Sequence, residues 1–537
     1  MRARGLDTIE TCGEFIAPDL TQLHDPFLLP DMSAAADRIV RAIEDREVVL
    51  VHGDYDVDGI TSTALMTRFL RKLGADVLYF IPHRVIDQYG LNVEAVRQAA
   101  GHGATLAVAV DCGVNAVDAI EETHRLGMDA VVIDHHEPGE RQVDALAVVD
   151  PKRADSQYPE RDLAAVGLCF KTASAVCVRL GLPQESLERA FLDLVALGTV
   201  ADVVPLVGEN RVFTRFGLGF LAETRKVGLR ALMQVCSITG AVRSSDVAFR
   251  LAPRMNAAGR MGDATDALEL LLTDDEDEAL RLALQLENSN RDRQREQEVT
   301  YRQAIEQIEQ IEELDAQKVL VLSSPQWHIG VVGIVASKIV ERYYRPTIML
   351  VETGDEARGS ARSVDQFDIS RGLEACSHLL MRHGGHALAA GLTLRVEQIG
   401  PFREAVNRAA DSLDLGDIRD GLPIDAELLL DEVDEELLDG IEAIGPCGRD
   451  NPEPLFVTRG VDVVDARAVG RDAQHLKLLV SQGDRPVDCI AFNMAEELKW
   501  LKRGSVADIC HCPEINEYNG TRGIQLRLRG IRRSADQ

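Results

Sequence analysis

Over residues 48–61 the chain reads VVLVHGDYDVDGIT, which puts His52, Asp54, Asp56 and Asp58 on one short connection with no Lys or Arg among them. Carboxylates crowded this closely repel one another unless a cation sits between them. A divalent metal is the natural cation. Imidazole with carboxylate suits manganese or zinc, and carboxylate with water suits magnesium or manganese. The apolar run 48–51 predicts a buried strand, and residue 60 onward has helical spacing. If the strand conformation persists, all four polar side chains point to one side. The bland alternative is a solvated acidic loop, since Asp-rich turns are common.

The elements that must position these groups repeat along the chain. Short apolar runs at 76–81, 105–110, 130–133 and 145–149 alternate with helical patterns such as 60–73 and 92–100. Strands alternating with helices predict a parallel sheet covered on both faces. In such sheets the chemistry collects at the carboxyl edge. Read at that edge, the third strand ends in Asp111-Cys112-Gly113, the fourth in Asp134-His135-His136 and the fifth in Asp150-Pro151. A helical stretch over 187–197 leads into GTVADVVP and places Asp202 just past its end. Repeated delivery of carboxylate or imidazole by element ends argues against the solvated loop. Two metals take about seven or eight protein ligands, commonly with one carboxylate bridging. The candidates are His52, Asp56, Asp58, Asp111, His135 and Asp202, with Asp54 and His136 close by. No Ser/His/Asp or Cys/His arrangement offers a nucleophilic side chain.

The chain has 537 residues, room for two to four domains. Its formal net charge of −30 disfavours non-specific adhesion to nucleic acid or anionic membrane, so a polyanionic substrate must meet local arginines or metal. Residues 425–443 carry nine Asp/Glu and no Lys or Arg, which predicts a solvated helix face. Ten cysteines without paired spacing do not suggest a disulfide framework. Cys510-His511-Cys512 reads as part of a strand, with zinc the minor alternative because no second pair completes a site. No apolar run reaches ~18 residues and the N-terminus lacks an apolar signal core, so a cytoplasmic protein with no membrane association is expected.

Residues 280–314 are polar and free of Gly and Pro, predicting a helix roughly 50 Å long that spaces two domains. A second α/β unit follows: strand 319–322, helix 330–342, strand 347–351, then GSARS (359–363) and a helix to residue 381. Short strands at 476–480, 487–492, 506–510 and 523–529 suggest a small β-barrel of OB type. The expected organisation is a lead segment 1–47, a catalytic domain 48–275, a connecting helix 276–315, a second α/β domain 316–415 and a barrel 421–537.

HGDYDVDG, VDCG, VIDHH and VADVVP match, in order, the four motifs of the DHH phosphoesterase superfamily. PRMNAAGRMGDA (253–264), WHIGVVGIVASK (327–338), GSARS, GGHALAAG (384–391) and NPEPLF (451–456) narrow the resemblance to the RecJ family of single-strand-specific 5′→3′ DNA exonucleases. One departure is the N-terminus, which begins close to RGLDT (4–8), without the leader residues of many relatives. The resemblance implies a DHH domain, a DHH-associated substrate-binding domain and an OB-fold nucleic-acid-binding domain. It implies His52, Asp56 and Asp111 on one metal and Asp58, Asp111, His135 and Asp202 on the other, with Asp111 bridging. Asp54 and Asp134 would orient ligands, and His136 would sit beside the scissile phosphate; its alternative is a hydrogen-bonded core histidine. Two Mn2+ (or Mg2+) ions are expected, manganese being favoured by the histidines.

For the substrate, Arg254, Arg260, Ser360 and Arg362 lie in the matched motifs, and the resemblance implies that these segments, with Arg84, grip a 5′-terminal phosphate. A planar guanidinium suits phosphate because it donates two bonds together, and the alternative for any one arginine is a surface ion pair. Asn256 belongs to the same set. Gly384, Gly385 and His386 would let backbone approach the nucleotide, and Tyr89 offers a stacking surface. Gln525, Arg527 and Arg529 fall on one strand face and suggest a single-strand path or a solvated edge. The activity implied is release of 5′-mononucleotides in DNA repair and recombination, by a monomer working with a helicase and a single-strand-binding protein. The alternatives are a phosphodiesterase of short oligonucleotides or cyclic dinucleotides and a catalytically silent DNA-binding replication scaffold.

Overall fold

In the computed structural model, residues 1, 4–84, 90–411, 422–470, 473–483, 485–518 and 521–534 are described. Strands β1 (Val48–His52), β2 (Asp76–Phe80), β3 (Ala104–Val110), β4 (Asp129–Ile133) and β5 (Ala147–Val149) form a parallel sheet in the order β2-β1-β3-β4-β5. Alternate residues feed opposite cores, as a strand demands. Val49, Val51, Val108 and Val131 pack with helices Met32–Glu44, Val57–Lys72 and Ala165–Leu180, whereas Leu50, Ala107, Ala109 and Val132 pack with Val93–Gly101 and Val117–Arg125. The expected doubly covered sheet is therefore present. Because all five strands run the same way, the residues that follow them gather at one edge.

Two boundaries near that edge differ from the sequence expectation. The strand conformation ends at His52, and Asp56 instead caps helix Val57–Lys72, accepting from the amides of Asp58 and Gly59 at 2.9 and 3.1 Å. The 52/54/56/58 alternation is thus replaced by a turn, because a cap carboxylate satisfies amides that a strand would leave to the next pairing. The helix expected to stop at residue 197 runs through Gly198 as Gln184–Ala201, and Asp202 is its C-terminal cap residue. A Cβ on Gly198 would stand 2.3 Å from Thr61 Oγ1 and 3.1 Å from Asp58 Oδ1, so only glycine lets this helix pass so close to the Asp58 helix.

The long helix is Glu276–Glu309, started by Asp275, which accepts from Glu278 N at 2.8 Å; it begins where the expected connecting helix 276–315 does, four residues before the polar run 280–314, and ends earlier than either. It is more than a spacer. Leu282, Ala283 and Leu286 belong to the first core, and Ala304 and Ile308 to the core of the second unit. There, β6 (Leu320–Ser324), β7 (Thr347–Thr353), β8 (Glu356–Arg362), β9 (Arg382–His386) and β10 (Ala389–Arg395) are ordered β6-β7-β8-β10-β9, only the first pair being parallel. Helix Ile329–Tyr343 packs on β7 and β8. The helix expected to reach residue 381 is only Ile369–Ala375 with a 3-10 turn after it, since the Gly-rich 384–391 segment folds back as the β9–β10 hairpin.

The C-terminal barrel closes through β12 (Phe456–Val469), β13 (His475–Gln482), β14 (Arg485–Ala491), β16 (Thr521–Arg533) and β15 (Val506–Tyr518), which returns to β12; β11 (Ala426–Glu427) adds to β12 outside the ring. Strand β12 is not legible in the sequence because a register shift between Val463 and Asp465 breaks its alternation. Leu526 and Leu528 enter the barrel core as expected. His511 is a buried strand residue whose Nε2 lies 2.9 Å from Thr458 Oγ1, and Cys510-His511-Cys512 forms no metal-type group among the described residues. In the acidic 425–443 stretch only the part within Glu435–Ile444 is α-helical. Leu206 N donates to Arg449 O at 2.8 Å and Arg211 donates to the carbonyls of Ala443 and Ile444, docking the barrel beside the first domain. Between them lies a cleft of about 2310 Å3. Among the described residues no helix is long and apolar enough to cross a membrane.

Candidate active site

The edge of the parallel sheet brings together Asp54, Asp56, Asp58, Asp111, His135, His136 and Asp202. Their ligand atoms form three groups, each within 4.8 Å: Asp54, Asp56 and Asp111; Asp58, His135 and Asp202; Asp111, His135 and His136. Asp111 is shared by the first and third. It leaves β3 with φ of 59°, a left-handed conformation unusual for a non-glycine residue, and its amide is tied to Ile133 O at 3.0 Å. Asp58 is pinned from the other side, accepting from the amides of Ala165 and Val166 at 2.7 and 2.8 Å at the start of a helix with no side-chain cap of its own. The sequence offered one clue to this contact, the uncapped LAAVG start of that helix.

His135 Nδ1 donates to Leu163 O at 3.1 Å, which leaves the Nε2 lone pair facing the carboxylates. Nε2 lies 3.2 Å from Asp111, 3.8 Å from Asp202 and 4.0 Å from Asp58. Burial and then the neighbouring His136 bring its pKa down to about 4, which favours the neutral ring. Asp134 organises the turn: it accepts from the amides of Val114, His135 and His136 and from His136 Nδ1 at 2.7 Å. Burial pulls His136 downward, but the Asp134 bond and the surrounding carboxylates carry it up to about 9. His136 is thus a cation beside a neutral His135.

The carboxylates show what this donor set lacks. Burial first, and then mutual repulsion, push Asp58 to about 7 and Asp202 to about 8, and hold Asp54 and Asp111 well above the usual carboxylate range. Asp54 Oδ1 is buried and accepts no hydrogen bond among the described residues. A set of oxygens that cannot all ionise together, with an imidazole nitrogen aimed among them, fits hard or borderline divalent cations. His52 stands apart from the three groups. Its Nε2 accepts from Asn92 N at 3.1 Å and its ring packs on Phe80. Asp54, expected to orient ligands, has a carboxylate oxygen grouped with those of Asp56 and Asp111.

Beyond the carboxylates lies an arginine group. Burial and then Arg84, Arg293 and Arg362 bring Arg260 down to about 10. Burial, then Arg84, lowers Arg362. Arg84 stacks over Tyr55 at 4.9 Å. A Cβ on Gly333 would meet Arg362 Nη2 at 3.0 Å and Ser360 Oγ at 3.3 Å, so this glycine lets helix Ile329–Tyr343 approach both side chains. Arg260 Nη1 donates to Gly330 O at 3.3 Å at the start of that helix. A cavity of about 200 Å3 beside Val200 and Ala201 is lined by Asn256, Arg260 and Arg293. Arg293, on the long helix, escaped the sequence reading because nothing in a polar helix marks which arginine turns inward. Arg254 is committed elsewhere, to Glu287 at 2.6 Å and to Arg250 O at 2.6 Å. Across β8, β10 and β9 the register sets Ser360, Gly391 and Gly384 in one row and Arg362, Ala389 and His386 in the next but one. Gly385 lies between them on β9 with φ of 148°. Tyr89 lies outside the described residues.

A parallel sheet carrying a carboxylate–imidazole cluster at its edge, followed by a second α/β domain, defines a phosphoesterase of the DHH class. Residues 48–199 match the DHH family N-terminal domain, 316–412 the DHHA1 domain and 424–530 the RecJ OB domain. The chain belongs to the RecJ family. It is 38% identical over 531 residues to the single-stranded-DNA-specific exonuclease RecJ of Bacillus subtilis, covering 98% of this chain and 66% of that relative, just under two thirds of its length. Against the single-stranded-DNA-specific exonuclease RecJ of Dickeya dadantii it is 37% identical, covering 95% of this chain and 92% of the relative. The crystal structure of RecJ in complex with Mn2+ from Thermus thermophilus superposes with a TM-score of 0.82 at 31% identity, covering 99% of this chain and 75% of that one; the same protein's complex with Mg2+ gives 0.78 at 30%, covering 99% and 73%.

Proposed function

We propose that this chain is a single-stranded-DNA-specific 5′→3′ exonuclease that hydrolyses the terminal phosphodiester and releases 5′-mononucleotides. The observation that carries the reading is the pairing of three metal-type donor groups with a separate arginine group drawn from the first domain, the long helix and the second α/β domain. Asp54, Asp56 and Asp111 would hold one ion and Asp58, Asp111, His135 and Asp202 the other. Bound there, manganese or magnesium supplies an activated water and polarises the phosphoryl oxygens. His135 presents Nε2 as a neutral donor, and Asp134 keeps His136 protonated to offer a charged hydrogen bond to a phosphate oxygen. Arg84, Arg260, Arg362 and Ser360 take the 5′-terminal phosphate, whose extra negative charge distinguishes an end from an internal linkage. Asn256 and Arg293 border the adjoining cavity. The backbone of Gly384, Gly385 and His386 follows the strand. A duplex end cannot thread this path, so the enzyme depends on a helicase to separate strands and a single-strand-binding protein to present them, acting as a cytoplasmic monomer in DNA repair and recombination.

The test uses purified protein with single-stranded and duplex oligonucleotides labelled at either end, with manganese and with chelator. Loss of the 5′ label as a mononucleotide from single strand alone, only with metal, is expected. Release from the 3′ end, or equal attack on duplex, overturns the reading.

A further inference from the structure

On the barrel side of the 2310 Å3 cleft, Arg527 and Arg529 of β16 project on the same face and converge on one carboxylate. Their Nη2 atoms donate to Glu453 Oε2 at 2.5 and 3.2 Å, and Arg527 Nε also donates to Glu514 at 3.1 Å. Glu453 belongs to NPEPLF, a motif with no part in the metal or arginine groups. The motif is anchored from behind: Asn451 is buried and donates to the carbonyls of Ile444 and Pro446 at 3.0 and 2.9 Å. Burial pushes the Glu453 carboxyl up, but the two guanidiniums outweigh it and the net shift is downward.

We propose that Glu453 sets the affinity of the cleft for single-stranded DNA: its carboxylate occupies the guanidinium donors that a backbone phosphate of the entering strand would take, and the strand must displace it. The inference rests on the proposed exonuclease function and takes the Arg527–Arg529 face of β16, which lines the cleft, as part of the single-strand path. Carboxylate and phosphodiester are anions that the same guanidinium fork accepts, so displacement exchanges one partner for another. The exchange keeps internal phosphates weakly held, which lets the strand advance after each cleavage. It also has a salt signature. When phosphate replaces Glu453, the bared carboxylate recruits a cation and offsets the counterion released from DNA.

Glu453→Gln keeps the shape and an acceptor oxygen but removes the charge. With the full chain in chelator, so that nothing is cut, binding of a fluorescent oligothymidylate is followed across a salt series. Glu453→Gln is expected to bind roughly three- to tenfold more tightly at low salt, with the log–log salt slope steeper by roughly 0.7 for each phosphate gained. Adding Arg527→Ala and Arg529→Ala should erase the gain. Unchanged or weaker binding by Glu453→Gln, or a gain that survives loss of both arginines, overturns the inference. Failure of the unmodified chain to bind the oligonucleotide would instead overturn the reading of the cleft, and this inference with it.

Discussion

Asp111 is the residue on which the site turns. It is buried, left-handed in backbone, and common to two of the three donor groups. Asp111→Asn should lower single-turnover cleavage by ~10^3-fold or more if, as proposed, its carboxylate is shared by two ions. The metal-free protein should melt no lower than the parent, because the amide replaces a carboxyl whose ionisation burial and its neighbours already disfavour. Near-parental turnover by the folded variant would end the two-ion assignment. Arg362 and Arg254 make a sharper comparison, since both lie in matched motifs yet only Arg362 joins the Arg84–Arg260 group. Arg362→Ala should erase the preference for 5′-phosphate over 5′-hydroxyl ends. Arg254→Ala, which breaks a largely buried pair with Glu287, should leave that preference and lower the melting temperature instead. Rates on two substrates differing only at the 5′ end decide between them.

Among the elements, the contact between helices Gln184–Ala201 and Val57–Lys72 sets the distance from Asp202 to Asp58. Gly198→Ala inserts a Cβ where Thr61 Oγ1 and Val166 Cγ1 already stand 2.3 and 2.8 Å away. The helices must part, at a cost of about 1–3 kcal/mol, and metal affinity measured by calorimetry should fall with stability. An undisturbed affinity would show that Asp202 is not positioned by this contact. In the barrel, burial holds His511 down to about 4 against an ordinary 6.5. The unfolded chain then binds a proton at higher pH than the folded barrel does. Stability is therefore fully present above about 6.5, is lost as pH falls towards about 4, and levels off below, the whole effect being on the order of 3 kcal/mol. His511→Gln, which can keep the Thr458 bond, should flatten that part of the urea-midpoint profile; an unchanged slope would remove His511 as its source.

Taken as a whole, the molecule carries a net charge of −30, while the substrate proposed for it is a polyanion. Its cations are therefore spent locally, on the arginine group beside the donor cluster and on β16 across the cleft. Affinity for single strands should fall steeply with salt, with a log–log slope of about −0.7 per phosphate contacted. A flat response in the metal-free protein would mean that guanidinium–phosphate contacts do not carry binding. The long helix ties the two α/β domains together beside the donor cluster, because its two ends are built into both cores and Arg293 projects from between them.

The sequence alone determined the class of fold, the five strand ends and the donor residue types, because each is a local property: apolar period, breaker residues, and a carboxylate or imidazole at a predictable edge. The same local logic separated the second α/β unit and most of the barrel strands. What it could not decide depended on partners distant in the chain. His52 and Asp54 sit two residues apart in one motif, yet the fold sends His52 Nε2 to Asn92 and groups Asp54 with Asp111. Arg254 and Arg260 share another motif, yet Glu287 claims the first and Arg84, Arg293 and Arg362 surround the second. Which charge is paired, which is crowded and which faces the cleft is fixed by packing across hundreds of residues, and that is set only when the helices and sheets close on one another.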